Sequence, residues 1–147
     1  MEAQKRLDQQ IFLRSKSRSI DFMNAYQERN LNQMLAHCSS TCTVEFIPLG
    51  ADGKGSAHSV GKAIWSSLIE CFPNIDNTVH HVINEDGNAK CEVSIYGRQA
   101  KDFAGIISKG NEFEQNHIFV FKVNSKGEIS SITVDWDHDS FVDQLTK

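Results

Sequence analysis

The sequence predicts an α+β fold in which helices pack on the concave face of a curved antiparallel sheet and enclose a cone-shaped cavity. Three observations carry that expectation. Apolar residues recur at helical spacing through most of the chain before Pro73. From Val79 onward the period changes to two, the period of a half-buried strand. Asp86-Gly87 and Asn124-Ser125-Lys126-Gly127 then separate the strands with turn chemistry suited to hairpins.

Phe12, Ser19, Met23 and Tyr26, with Ile20 and Phe22 beside them, form one stripe of a first helix. Arg29-Asn30 breaks it, and Asn30 is suited to cap a second helix over Leu31–Cys38, ended by Ser39-Ser40-Thr41. Thr43–Ile47 has strand composition and stops at Pro48. Gly50–Ser56 reads as a loop. Ser59 is the expected cap of a third helix bearing Ile64, Trp65, Leu68 and Ile69. That helix must end before Pro73, because the residue before a proline is pushed out of the helical region. Val79–Ile83 is a strand, followed by a hairpin at 85–88. Cys91, Val93 and Ile95 alternate with polar residues in the next strand. Residues 97–111 form a loop holding Phe103, Ile106 and Ile107. Phe113–Val123 is a long strand with Phe113, Gln115, His117, Phe119, Phe121 and Val123 on one face. Ile129–Trp136 is the last strand, and its alternation slips at Ser130-Ser131, the mark of a bulge. Asp139-Ser140 is expected to cap a final helix carrying Phe141, Val142 and Leu145.

The 147 residues, 39% hydrophobic and 23% charged, suit a single domain spanning 1–147 with a core at about 11–145. A chain of this length buries roughly two-thirds of its unfolded surface and needs no disulfide or metal to fold. A net charge of −4 argues against a nucleic-acid binder, which carries a basic patch. No apolar run approaches the roughly 18 residues of a membrane span, and no secretory h-region is seen at the N-terminus. Lys5, Arg6, Arg14, Lys16 and Arg18 read as a solvated helix face, with Glu2 and Asp8 arguing against a transit peptide. Cys38, Cys42, Cys71 and Cys91 are irregularly spaced without a CxxC pair, so free buried thiols and a cytoplasmic location are expected. His37, Cys38 and Cys42 cross a helix end and match no zinc framework. Gly50–Gly55 lacks a phosphate-loop pattern, so neither metal nor cofactor is expected.

Three phrases, together with the element order, give the chain a family likeness. They are Arg29–Cys38 leading into Thr43-Val44-Glu45, Gly61–Ile64 through Phe72-Pro73-Asn74, and Phe119–Lys122 through Gly127-Glu128-Ile129 to Asp135-Trp136-Asp137. On them the sequence resembles the nuclear-transport-factor-2-like superfamily, in its SnoaL-like polyketide cyclase and ketosteroid-isomerase-like branch. The resemblance implies a cavity fold and a homodimer through the outer sheet face, compatible with Tyr96 and Val120 on non-core strand faces. One scaffold of this kind hosts many activities, so the residues must decide.

Ketosteroid isomerases place a carboxylate at the end of the first strand, which falls here on Phe46 or Ile47. Their oxyanion pair, a helix-one tyrosine and a strand aspartate, falls on Phe22 and Phe119. With base and donors replaced by apolar groups, steroid isomerisation by that route is not expected. SnoaL-like cyclases place a histidine on the long strand and an aspartate on the last. His117 fits the first role, and the second falls on Thr133, Val134 or Asp135 according to the last strand's register. If Asp135 faces the cavity, a His117–Asp135 acid/base pair is available.

The ligand-lining candidates are Phe22, Tyr26, Phe46, Trp65 and Phe119, with His81 bordering the cavity beside Val79 and Ile83. His80 and His81 are adjacent on a strand and point to opposite faces, so they cannot act as paired ligands. The expected partner is a small hydrophobic molecule rather than nucleic acid or membrane. Three readings follow: acid–base chemistry on an apolar carbonyl compound, a carrier for hydrophobic ligands, or a dimeric scaffold with a filled cavity.

Overall fold

The computed structural model describes residues 2–147. Helix α1 (Glu2–Gln27) buries Ser15, Ser19, Phe22, Met23 and Tyr26, one face of a helical repeat. Ser15 donates its hydroxyl to the Gly87 carbonyl at 2.8 Å, pinning the helix to a strand turn. Asn30 caps α2 (Leu31–Ala36), its side-chain oxygen accepting from the Gln33 amide at 3.0 Å. This helix stops two residues sooner than its composition suggests. Ser39-Ser40-Thr41 lies within β1 (Cys38–Phe46), because pairing with the last strand begins at Cys38 opposite Ile129.

Residues Ile47–Gly53 form a 3₁₀ segment begun by Pro48, and Lys54–Ser56 form β2 against β1, so the glycine-rich loop is partly structured. A single π-turn over Ala57–Gly61 leads into α3 (Lys62–Cys71). Ser56, not Ser59, caps this entry by accepting from the His58 amide at 3.2 Å. Gly61 leaves room for Trp65, whose ring would sit 2.8 Å from any Cβ placed there. The helix ends before Pro73, as expected.

Strands β3 (Asp76–Glu85), β4 (Asn88–Arg98), β5 (Glu112–Val123) and β6 (Ile129–Asp135) complete a six-stranded sheet of order β2-β1-β6-β5-β4-β3. All neighbours are antiparallel except β1 and β6. The β3–β4 turn holds Asp86 and Gly87 at φ 53° and 89°, the doubly positive pair of a tight hairpin. In β6 the predicted slip is real: Lys122 faces Ser131 and Val123 faces Ile129, which leaves Ser130 as the extra residue. The bulge lets Ile129, Ile132 and Val134 all point inward. Asp137, not Asp139 or Ser140, caps α4 (His138–Thr146) by accepting from the Ser140 amide at 3.0 Å.

The core lies between α1, α3 and the concave face of the sheet. Its centre is a set of edge-to-face rings, with Phe22 against Trp65 and Phe121 and with Phe46 against Trp65, at 5.2–5.3 Å. All four cysteines are buried free thiols. Among the described residues, no helix is long and apolar enough to cross a membrane.

Candidate active site

The helices and the curved sheet enclose a cavity of about 530 Å³. That volume lies in the range of small-molecule sites. Tyr26 from α1, Phe46 from β1, Trp65 from α3, Phe119 from β5, Val134 from β6 and Phe141 from α4 all contribute to its wall. Exposed Ala63 and Ser67 on α3, with Asp102 and Ala104 opposite, mark its mouth. No lysine or arginine lines it.

The segment 99–111 forms a flap at that mouth. Phe103 and Ile106 exchange backbone hydrogen bonds at 3.0 and 2.8 Å around a turn with Ala104 at φ 49° and Gly105 at φ 80°. Buried Gln99 pins this turn, its amide donating to the carbonyls of Lys101 at 3.1 Å and Ile106 at 2.9 Å. The Phe103 ring packs edge-on against Phe72 and Phe141 at 5.5 and 6.2 Å.

His117 is the buried imidazole of the cavity. It stands opposite Val93 on the inward face of β5 and is 8% exposed. Its ring stacks on Trp136 at 5.6 Å with 20° between planes. Nδ1 lies 3.5 Å from the Gln115 carbonyl, a long contact in which only the ring nitrogen can donate. That contact favours the tautomer with its proton on Nδ1 and a lone pair on Nε2. Burial pushes this imidazole down to about 4, so it is neutral at pH 7. Burial also raises the Tyr26 phenol above its ordinary value, so that group stays protonated.

A second imidazole meets the cavity from the first turn of α4. Trp136 donates its indole N–H to Nδ1 of His138 at 3.2 Å, and the His138 ring stacks on Phe141 at 5.9 Å.

Of the residues expected from sequence, His117, Tyr26, Phe46, Trp65 and Phe119 line the cavity. Three others do not. Phe22 is fully buried behind Trp65 and Phe121 and belongs to the core. His81 is exposed on the edge strand β3, in a groove against α1, because a register shift between Val79 and His81 breaks the alternation that would bring it inward. Asp135 is exposed on the outer sheet face. Val134 pairs with Phe119 and takes the inward position, so Asp135 pairs with Ile118 and accepts from the Trp136 amide at 3.0 Å. No His117–Asp135 pair forms.

His138 and Ala104 were not singled out from sequence, and Phe103 stood there only as an apolar residue of the 97–111 loop. For His138 the available signal was Asp137-x-x-Ser140, a second capping pattern that starts the helix two residues earlier. Among the described residues, no group of three or more His, Cys, Asp or Glu side chains is gathered as a metal site.

The fold has many solved relatives. IdmH of Streptomyces antibioticus, a proposed polyketide cyclase, superposes with a TM-score of 0.76 at 14% identity, covering 90% of this chain and 99% of that one. AclR of Streptomyces galilaeus, a proposed hydroxylase, gives 0.75 at 13% identity over 89% and 94% of the two chains. SalBIII, an epoxide hydrolase/cyclase-like enzyme of pyran ring formation in the polyether salinomycin, gives 0.69 at 15% identity over 86% and 92%. Identities this low show a shared fold and nothing finer. No curated protein matches the sequence. The SnoaL-like domain family matches residues 20–132, most of the chain, and the curved, unclosed sheet beneath N-terminal helices is that of the nuclear-transport-factor-2-like fold. The chain belongs to the SnoaL-like domain family.

Proposed function

We propose that the protein is a small-molecule enzyme of the SnoaL-like kind, using acid–base chemistry on a neutral, apolar carbonyl compound bound in the aromatic cavity. The observation that carries this reading is His117, a buried neutral imidazole with a free Nε2 in a cavity otherwise dominated by apolar side chains. Such a base is unprotonated and ready at pH 7 to take a proton from carbon or oxygen. Its low pKa makes it a modest base, and the conjugate acid gives the proton back readily. The proposed cyclase IdmH and the cyclase-like SalBIII are consistent with chemistry of this class on the same scaffold. Phe46 and Phe119 in the wall, with Phe22 behind it, argue against the ketosteroid isomerase route.

The carrier reading has one observation in its favour. With Asp135 on the outer face, no carboxylate contacts His117 to raise its basicity. Reaction on a carbonyl probe separates the two readings. The filled-cavity scaffold fits poorly with a void of about 530 Å³. A homodimer through the outer face of β4 and β5, where Tyr96, Ile118 and Val120 are half-buried, belongs to the same proposal.

Thermal unfolding with neutral aromatic ketones and the matching carboxylic acids tests the binding half. A ligand at 100 times its Kd adds about 2.7 kcal/mol, roughly 5–10 °C for a domain of this size. Ketones should give that rise and carboxylates should not, because no lysine or arginine lines the cavity. Equal shifts for both, or none for either, overturn the reading.

A further inference from the structure

We propose that His138 is a second catalytic residue, a neutral N–H donor to the substrate carbonyl oxygen, and that Trp136 is the positioning residue that fixes its tautomer. The proposal rests on the reading of the cavity as a site for carbonyl chemistry. An indole nitrogen donates only, so Nδ1 of His138 must accept the 3.2 Å bond from Trp136 and be unprotonated. A neutral imidazole with a bare Nδ1 carries its proton on Nε2. Protonating Nδ1 would set two donors against each other and break the bond. The ring is held on its other side by stacking with Phe141 at 5.9 Å, and both rings line the cavity.

The long contact to the Gln115 carbonyl favours the opposite tautomer in His117, with its proton on Nδ1 and a lone pair on Nε2. Trp136 contacts both rings, stacked on His117 at 5.6 Å and bonded to His138. The cavity therefore offers one acceptor and one donor, His117 against the face of one indole and His138 on its N–H. That pair suits a carbonyl compound with an acidic α-hydrogen. His117 Nε2 takes the α-proton, and the C–H electrons form the carbon–carbon double bond. The carbonyl π electrons move to oxygen, where the developing charge receives the His138 N–H. Return of the proton from His117 to carbon reverses the step. A neutral imidazole is able to polarise a carbonyl in this way.

The probe is 2-tetralone, ¹³C-labelled at the carbonyl. Two readouts are needed: ¹⁵N spectra of the histidines in the free protein, and the carbonyl infrared band with α-proton exchange in deuterated buffer. In the wild type, His138 should carry its proton on Nε2, the bound band should move to lower frequency, and exchange should be catalysed. His138→Phe should remove the band shift and slow exchange about 100-fold, the usual cost of losing one oxyanion donor. His138→Gln, whose amide N–H reaches the Nε2 position, should recover part of both. Trp136→Phe should leave His138 as a mixture of tautomers, which a loss of packing alone would not produce. A wild-type His138 protonated on Nδ1 overturns the proposal whatever the ligand does. A band equally shifted in wild type and His138→Phe overturns it alone, provided His117→Gln still abolishes exchange. If tetralone does not bind, the proposal falls together with the reading of the cavity.

Discussion

His117 ties the cavity to the stability of the fold. Its folded pKa of about 4 lies below the ~6.5 of an unfolded imidazole. Between those values the unfolded chain holds more protons, so stability falls as pH drops through the window. The contribution is fully present above pH ~6.5 and lost below about pH 4, and is on the order of 3 kcal/mol. Urea unfolding at pH 7 and pH 4.5 should show the wild type losing about 2 kcal/mol more than His117→Gln. Equal losses in both proteins are incompatible with a buried neutral His117. Phe22→Leu should cost about 1–2 kcal/mol, as expected for a core ring, and leave ketone affinity unchanged. A large change in affinity would place Phe22 in the ligand wall instead. His117 was legible because strict alternation over Phe113–Val123 settles its face. Asp135 was not, because one extra residue at Ser130 reverses every side chain after it. His138 was hidden by the choice between two capping patterns two residues apart.

The elements divide in the same way between local and tertiary causes. Asn30, the end of α3 before Pro73 and the Asp86-Gly87 hairpin follow from local chemistry and stand where expected. The early start of β1 at Cys38, the short β2 and the π-turn before α3 depend on pairing with distant segments, which no local window reveals. The flap over 99–111 is the clearest tertiary case. Its anchor is one buried glutamine bonded to two backbone carbonyls. Gln99→Leu removes both bonds and leaves the Lys101 carbonyl without this donor, while the Ile106 carbonyl keeps the Phe103 amide, at a cost of about 1–3 kcal/mol. Hydrogen exchange should accelerate at residues 101–108 while β4 and β5 stay protected. Uniform loss of protection would mean that Gln99 supports the whole sheet rather than the flap. Ala104 sits at φ 49°, a backbone region that disfavours side chains, so Ala104→Gly should stabilise the protein by up to about 1 kcal/mol. Destabilisation on chemical unfolding would show that the turn is held by the Ala104 side chain instead.

As a whole, the molecule has one curved sheet whose two faces differ in what they present. The concave face and the helices hold the cavity, while the convex face presents Tyr96, Ile118 and Val120 among polar neighbours. If that face pairs two copies, Val120→Glu should shift sedimentation from dimer to monomer without unfolding the domain. A wild type that sediments as a monomer removes the dimer from the proposal and leaves the cavity chemistry untouched. That chemistry is tested most directly by α-proton exchange of 2-tetralone in deuterated buffer near neutral pH, followed by NMR. The wild type should exchange the α-protons at least about 100-fold faster than buffer, the usual contribution of a positioned base, and His117→Gln should return the rate to that of buffer. A bound ketone exchanging no faster than in buffer, or at the same rate in both proteins, is incompatible with His117 as the base and makes the cavity a carrier's.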